Sequence, residues 1–190
     1  QAPARGGKSV KKMVIEIANK KPIAIQEHKM SPARLAELRA AHPDIGVAAT
    51  QAVPTDGSRY EKGVAVLWNT YRHGQATWRT ITMKGRMIAV AFQDRGGTEI
   101  FISGYVAPGE LKNAEAVDRI VAELHAAIGE MPRNANMYIG MDLNYHEGER
   151  HDSGYRRKVR GVMTYYGLTS ALPEEMSTFR LELQGRDEPI

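Results

Sequence analysis

The sequence contains no cysteine, so disulfides and metal sites built from thiolates are excluded. It also lacks any apolar run near the roughly 18 residues that a membrane-spanning helix needs. The excess of positive charge is mild, at a formal +4 over 190 residues, and it permits a polyanionic partner without requiring one. An apolar content of 42% and a charged content of 25% are ordinary for a globular domain. These properties favour one intracellular domain with a substantial core.

Short apolar runs alternate with helical patterns along the chain. Ser31-Pro32 is typical of a helix start and predicts a helix that continues to about His42. Asp94-Arg95-Gly96-Gly97 predicts a turn that joins two strands as a hairpin. Strands are predicted at 23–26, 46–53, 63–68, 76–83, 87–92, 99–106, 137–142 and 178–183, and further helices at 10–17, 117–128 and 156–166. This mixture predicts one α/β domain with a layered core over residues 1–190.

The most informative residues are two acids and an amide at the ends of predicted strands. Glu27 comes directly after a short apolar run, and so do Asp142 and Asn144. Strand ends that are far apart in the sequence can meet at one end of a sheet, so we expect these side chains to lie close together. Their oxygens suit a hard divalent cation. The sequence therefore predicts a cation site with a catalytic layout.

Five short motifs follow one another in a recognisable order. They are Ile25-Gln26-Glu27, Gly63-Val64-Ala65-Val66, Ser103-Gly104-Tyr105-Val106-Ala107-Pro108, Gly140-Met141-Asp142-Leu143-Asn144 and Ser177-Thr178-Phe179. Together they resemble the endonuclease/exonuclease/phosphatase superfamily, and within it the endonuclease domain of non-LTR (LINE-type) retrotransposons. Arg160-Gly161 and Gly167-Leu168 match further positions of those domains. The resemblance covers residues 10–185 and implies a layered α/β sandwich, with two mixed β-sheets packed face to face and helices outside.

The resemblance implies that a phosphodiester is hydrolysed with Mg²⁺, or alternatively Mn²⁺, as cofactor. It makes Glu27 the metal ligand and Asp142 the residue that orients or deprotonates the attacking water. It makes Asn144 a donor to the phosphate or to that water, and Tyr105 a donor to a phosphate oxygen or to the leaving group. The implied substrate is nuclear DNA, which is nicked to expose a 3′-hydroxyl primer for a reverse transcriptase in the same polyprotein.

The chain departs from the family pattern in three places. Nothing before Val10 matches the strand that carries the family's first metal-binding asparagine, and the chain stops at Ile190, before the family's Ser-Asp-His motif. We therefore expect a piece of a longer domain, incomplete at both ends, that cleaves weakly or not at all on its own. Met141 stands where the family usually has a glycine, and we expect its side chain to crowd the end of that strand.

A basic cluster follows the Asp142 motif. It consists of Arg156, Arg157, Lys158 and Arg160, with tyrosines interleaved. Side chains of this kind contact nucleic-acid phosphates and give affinity without reading the base sequence. The cluster therefore predicts a DNA-binding surface, and the alternative interpretation is a solvated helix face.

Other interpretations have weaker support or remain open. Gly6-Gly7-Lys8-Ser9 would need a buried strand before it to form a phosphate-binding loop, and none is predicted. His146 and His151 are five residues apart, whereas the zinc-binding helix motif requires four. Two alternatives remain: a degenerate copy that binds nucleic acid or a protein without cleaving, and an enzyme that acts on RNA tails, inositol phosphates or sphingolipids.

Overall fold

The computed structural model describes ten stretches of the chain: 10–50, 53–54, 60–61, 63–74, 76–81, 86–94, 97–107, 114–132, 134–142 and 153–168. The helices are α1 (Val10–Ala18), α2 (Pro32–Ala41), α3 (Thr70–His73), α4 (Ala114–Gly129) and α5 (Ser153–Tyr165). The strands are β1 (Ile23–His28), β2 (Ile45–Ala49), β3 (Val53–Pro54), β4 (Tyr60–Glu61), β5 (Gly63–Asn69), β6 (Thr77–Ile81), β7 (Met87–Asp94), β8 (Gly97–Tyr105) and β9 (Asn136–Asp142).

Seven of these strands form two sheets. The first has the order β1-β5-β2 and is antiparallel throughout. The second has the order β6-β7-β8-β9, in which β8 and β9 run parallel and are connected through α4. Strands β3 and β4 pair as a short separate ribbon. Because β8 and β9 are parallel, their carboxyl ends lie at the same edge of the second sheet.

The two sheets pack face to face, and helices cover their outer faces. Alternate residues of β5 show this arrangement, since Val64 and Val66 pack against the second sheet while Ala65 and Leu67 pack beneath α1 and α2. All seven residues of β5 are buried, as expected for a strand covered on both faces. In the second sheet, alternate residues of β7 and β8 face α4 and α5 instead.

Local sequence signals explain where several helices begin. The Ser31 hydroxyl accepts a hydrogen bond from the Arg34 N–H, and Pro32 occupies the first turn of α2. The Asn69 side chain caps the short helix α3 by accepting from the N–H groups of Tyr71 and Arg72. Among the described residues, no helix is both long and apolar enough to cross a membrane.

The predicted layered α/β fold with two sheets and outer helices is confirmed. The first sheet is antiparallel over its described strands rather than mixed. Among the elements that differ from the prediction, β2 ends at Ala49, the β3–β4 ribbon and α3 were not predicted, α4 begins at Ala114, and α5 begins at Ser153. Strand β1 continues to His28 through a bulge that the sequence did not predict. The predicted strand at 178–183 lies outside the described residues.

Candidate active site

Glu27 lies in an irregular part of β1. Ile25 pairs with Ala65 and His28 pairs with Gly63, so two residues of β1 stand opposite one residue of β5. This is a β-bulge, a feature that changes the direction of a side chain. Glu27 has a φ of 50°, which is a left-handed conformation that costs a residue with a Cβ about 1–3 kcal/mol. A strained backbone at an acidic residue is often associated with a functional site.

The bulge brings the Glu27 carboxylate to the second sheet. The Tyr105 hydroxyl donates a hydrogen bond to Glu27 Oε1 at 3.3 Å. Tyr105 is the last residue of β8 and is only 4% exposed, and its ring packs in the apolar cluster between the sheets. The hydroxyl of a buried tyrosine therefore meets an acidic side chain from the other sheet.

Asp142 is the direct neighbour of Tyr105 in the second sheet. The two residues are partners in the parallel register of β8 and β9, and both are the last residues of their strands. Paired residues project from the same face of a sheet, so Asp142 shares the face from which Tyr105 reaches Glu27. The Val106 N–H donates to the Asp142 carbonyl at 2.9 Å and continues this pairing beyond the strand end.

Polar contacts next to Glu27 hold β1 against the second sheet. Gln26 Nε2 donates to the Gly140 carbonyl at 2.9 Å and to Ser103 Oγ at 3.3 Å. The Ser103 hydroxyl in turn donates to the Ile25 carbonyl at 2.9 Å. Both Gln26 and Ser103 belong to the motifs that carry the resemblance, but no sequence pattern indicated that they would contact each other.

Met141 does not crowd the site, contrary to expectation. Its side chain packs on the helical side of the second sheet, opposite to the face of Asp142. Gly104 on β8 provides the space, because a Cβ at Gly104 would lie 2.9 Å from Met141 Cε. The side chain that replaces the family's usual glycine is therefore accommodated by a glycine on the next strand.

His28 follows Glu27 and is anchored through both ring nitrogens. Nε2 donates to the Thr50 carbonyl at 3.1 Å, and Nδ1 accepts from the Met30 N–H at 3.4 Å. Burial lowers the pKa of His28 below its ordinary value of 6.5, and the backbone hydrogen bonds to Thr50 and Val64 oppose this effect only in part. A neutral imidazole therefore anchors the chain immediately after the bulge.

Arg86 is a further residue at this end of the second sheet, and the sequence motifs did not identify it. Its carbonyl accepts a hydrogen bond from the Tyr105 N–H at 2.9 Å, so Arg86, one residue before β7, lies across from Tyr105 on the side of β8 away from β9. The residue is only 7% exposed. Alternation along β7, in which Ile88 and Val90 face the first sheet, assigns Arg86 to the same face. The sequence could have indicated Arg86 only through its place in the chain, directly before the strand that forms a hairpin with the Tyr105 strand.

The basic cluster on α5 is only partly as expected. Tyr155, Val159 and Val162 form the buried face of α5 against α4, which leaves Arg157, Lys158 and Arg160 exposed. Lys158, however, forms an ion pair with Asp118 of α4. That pairing reduces the positive charge that α5 presents to a partner. The side chain of Arg156 lies outside the part of the structure that is described.

The structure thus brings Glu27, Tyr105 and Asp142 to one end of the two sheets, and their roles remain predictions. Asn144 lies outside the described residues. Within the described stretches, no group of three or more His, Asp or Glu residues is arranged to hold a metal ion. The oxygen donors that are present, two carboxylates and a phenol, still suit Mg²⁺, which keeps several of its waters and needs only one or two protein carboxylates.

No family model matches the chain, and no curated protein matches it. Solved structures nevertheless share its fold. The endonuclease domain of TRAS1, a telomere-specific non-LTR retrotransposon, has a TM-score of 0.51 at 15% identity, over 85% of this chain and 76% of that one. An endonuclease/exonuclease/phosphatase family protein from Leptotrichia buccalis C-1013-b has a TM-score of 0.55 at 13% identity, over 80% of this chain and 65% of that one.

The chain therefore has the fold of the endonuclease/exonuclease/phosphatase superfamily, and the resemblance drawn from its motifs is confirmed at that level. It spans less than two thirds of the length of the Leptotrichia protein. At identities this low, similarity establishes the fold, and the activity has to be inferred from the chemistry of the chain's own residues.

Proposed function

We propose that this protein is a divalent-metal-dependent phosphodiesterase and that it nicks DNA. One observation carries this proposal: Tyr105 donates a hydrogen bond to Glu27 and is the strand partner of Asp142. Two acids and a phenol from three strands therefore meet at one sheet end, in a fold shared with a retrotransposon endonuclease domain. The strained conformation of Glu27 supports a functional role for this carboxylate.

In this proposal each residue has one task. Glu27 holds the cation, which when bound neutralises and polarises the phosphate. Asp142 orients a water molecule and accepts its proton as the water oxygen bonds to phosphorus. The bond from phosphorus to the 3′-oxygen breaks, and the departing 3′-oxygen takes a proton from solvent, to which Asp142 later returns its own; the products are a 3′-hydroxyl and a 5′-phosphate. When the substrate binds, the Tyr105 hydroxyl turns from Glu27 to a phosphate oxygen and donates its hydrogen bond there. Asn144 provides a second donor.

Arg86 supports a phosphate as the substrate group. Its backbone carbonyl accepts from the Tyr105 N–H and the residue is buried, so a cationic residue lies at the sheet end that carries Glu27 and Asp142. A cation that is shielded from water interacts more strongly with an anion than an exposed cation does. We propose on this basis that the site takes an anionic substrate rather than a neutral one.

DNA is the proposed substrate because of the exposed residues on α5. Arg157 and Arg160 lie on its exposed side, and the chain carries a net positive charge. Contacts of this type bind phosphates without selecting a base sequence. The likeness of the fold to a retrotransposon endonuclease domain extends the proposal to a retroelement protein that acts in the nucleus and provides a primer for reverse transcription.

A plasmid assay tests the proposal. Conversion of supercoiled plasmid to the open-circular form registers a single nick per molecule, so it detects even weak activity. We expect nicking that requires Mg²⁺ or Mn²⁺, stops with EDTA, and falls about 10²–10³-fold in Glu27→Gln and in Asp142→Asn, as for the loss of one preorganised charged group. The matched control is Glu37→Gln, which alters an exposed acid of α2.

The other outcomes are equally informative. Nicking that persists in both site variants would refute the assignment of the site. DNA binding without any metal-dependent nicking would identify a binding module instead of an enzyme. Parallel assays with a 3′ RNA tail, an inositol phosphate and a sphingolipid determine whether a different phosphodiester is the preferred substrate.

A further inference from the structure

The contact between Gln26 and β9 differs in kind from the apolar packing in the middle of the interface between the two sheets. There the described side chains are apolar, whereas Gln26 uses one amide nitrogen to reach both Gly140 and Ser103. Gln26 is the residue before Glu27, and Gly140 is two residues before Asp142. The amide therefore links the segments that carry the two acids of the proposed site.

Gly140 is required for this close approach. A Cβ at Gly140 would lie 2.8 Å from the Ala24 Cβ and 3.3 Å from Gln26 Nε2. Any larger residue would push β1 away from β9 and lengthen the Gln26 contact. Gly140 of β9 and the Gln26 amide of β1 therefore together set the distance between β1 and β9.

The bulge at Glu27 needs support from its neighbours. A left-handed conformation at a residue with a Cβ persists only where the surrounding contacts hold it in place. On one side, His28 is anchored to Thr50 and Met30. On the other side, Gln26 is anchored to Gly140, and Ser103 is anchored to the Ile25 carbonyl. Removal of the Gln26 anchor would let the bulge relax and would move the Glu27 carboxylate.

We propose that Gln26 is a positioning residue, whose amide sets the placement of the Glu27 carboxylate relative to Asp142. This inference rests on the proposed function, because it assumes that Glu27 holds a cation. Gln26 does not touch the cation or the substrate, and it acts through the backbone that it shares with Glu27. Residues that hold metal ligands in place typically change metal affinity or activity by about 10–100-fold when they are replaced.

The experiment measures binding of Mn²⁺ alone to the folded chain by calorimetry or electron paramagnetic resonance. Gln26→Met keeps the length of the side chain and removes its donor group. We expect the Kd for Mn²⁺ to rise about 10–100-fold in this variant. Gln93→Met is the matched control, because the Gln93 amide makes a comparable 2.9 Å hydrogen bond to Thr98 in the hairpin of β7 and β8. The control variant should bind Mn²⁺ as the wild type does.

Two further measurements separate positioning from general stability. Circular dichroism and urea denaturation establish that each variant is folded at the temperature of the binding measurement. If Gln26→Met does not fold, Ser103→Ala provides the test, since it removes the second anchor and should raise the Kd about tenfold, at the low end of the range for residues that hold ligands in place.

Each outcome decides between the proposals. An unchanged Kd in folded Gln26→Met or, where that variant does not fold, in Ser103→Ala would overturn the positioning role and leave the proposed function intact. An equal rise in the Gln93→Met control would also overturn it. A wild-type chain that binds Mn²⁺ no better than its Glu27→Gln variant would overturn both.

Discussion

The interface between the two sheets has two halves that are held together by different forces. One half is apolar and consists of side chains such as Val64, Ile88 and Phe92, which are at most 1% exposed. The other half is polar and consists of the contacts of Gln26 and Ser103. Burial of each large apolar side chain contributes about 1.5–3 kcal/mol, whereas a hydrogen bond contributes about 0.5–1.5 kcal/mol net. The apolar half therefore provides most of the stability, and the polar half provides the geometry of the site.

Tyr105 joins the two halves. Its ring packs in the apolar cluster, while its hydroxyl reaches Glu27 in the polar half. An apolar contact tolerates small displacements because it has no preferred direction, but a hydrogen bond weakens steeply when its angle changes. We accordingly expect the proposed chemistry, which depends on placement within a fraction of an ångström, to take place in the polar half.

The largest expected effect comes from the apolar half. Phe92 makes edge-to-face or tilted ring contacts with Trp68, His73 and Phe101 at centroid distances of 5.2–5.6 Å. Replacement of Phe92 with Ala should lower the free energy of unfolding by about 3–5 kcal/mol, since it leaves a cavity in a packed interface. Urea denaturation measures this decrease. A decrease below about 1 kcal/mol would contradict the assignment of stability to this half.

The second prediction separates the two functions of Tyr105. Tyr105→Phe keeps the ring and removes the hydroxyl, so the free energy of unfolding should fall by no more than about 1.5 kcal/mol. Nicking should fall about 10²-fold, as for the loss of one oriented donor. Tyr138→Phe is the matched control, because Tyr138 lies on the same face of β9, stacks on Phe101 and is half exposed. Equal nicking by both variants would mean that the hydroxyl of Tyr105 has no part in the reaction.

The third prediction concerns pH and the anchor at His28. Because the pKa of His28 is lowered in the folded state, the unfolded chain binds more protons below pH 6.5. The stability that the neutral ring provides is complete above pH 6.5 and declines as the pH falls from there towards the lowered pKa. The decline should not exceed about 1.4 kcal/mol per pH unit, the limit for one proton. Urea denaturation between about pH 7.5 and 5 should show a steeper decline in the wild type than in His28→Gln, and identical slopes would contradict the prediction.

The smallest expected effect lies outside both halves of the interface. Replacement of Arg157 and Arg160 with Ala should weaken DNA binding equally for all sequences and should flatten its dependence on salt, by about 0.9 in the logarithmic slope for each phosphate that is no longer neutralised. Lys158→Ala should have less effect than Arg157→Ala, because Lys158 is paired with Asp118. Arg34→Ala, on the opposite outer layer, is the control. Binding that is unchanged in the double variant would show that this face of α5 is merely solvated.

Much of the fold could be predicted from local signals. Ser31 and Pro32 mark the start of α2, and the hairpin of β7 and β8 follows from its turn residues and apolar runs. The bulge could not be predicted, because regular alternation would place Gln26 and Glu27 on opposite faces of β1. Only the register against β5 shows that two residues of β1 share one partner.

The sequence identified three residues of the candidate site but not the hydrogen bonds that hold its two sheets together. Glu27, Tyr105 and Asp142 were all identified from motifs, whereas the Gln26 and Ser103 contacts depend on how two sheets meet. Arg86 was missed because it belongs to none of the motifs, and only the strand pairing shows that it lies next to Tyr105. The pairing of Lys158 with Asp118 joins residues of different helices, so a run of basic residues alone overstates the charge that is available to bind DNA.

The polar contacts also have a consequence for the order in which the chain folds. Gln26 is separated from Ser103 by 77 positions and from Gly140 by 114, and Glu27 is separated from Tyr105 by 78. Such contacts can form only after long loops have closed, whereas the β7–β8 hairpin joins neighbours in the sequence. We therefore expect pulse-labelled hydrogen exchange to show protection in β7 and β8 before β1, and simultaneous protection would contradict this order. A chain that folds in this order brings Glu27 and Tyr105 together last, so an intermediate in which β7 and β8 are already protected would lack the proposed site.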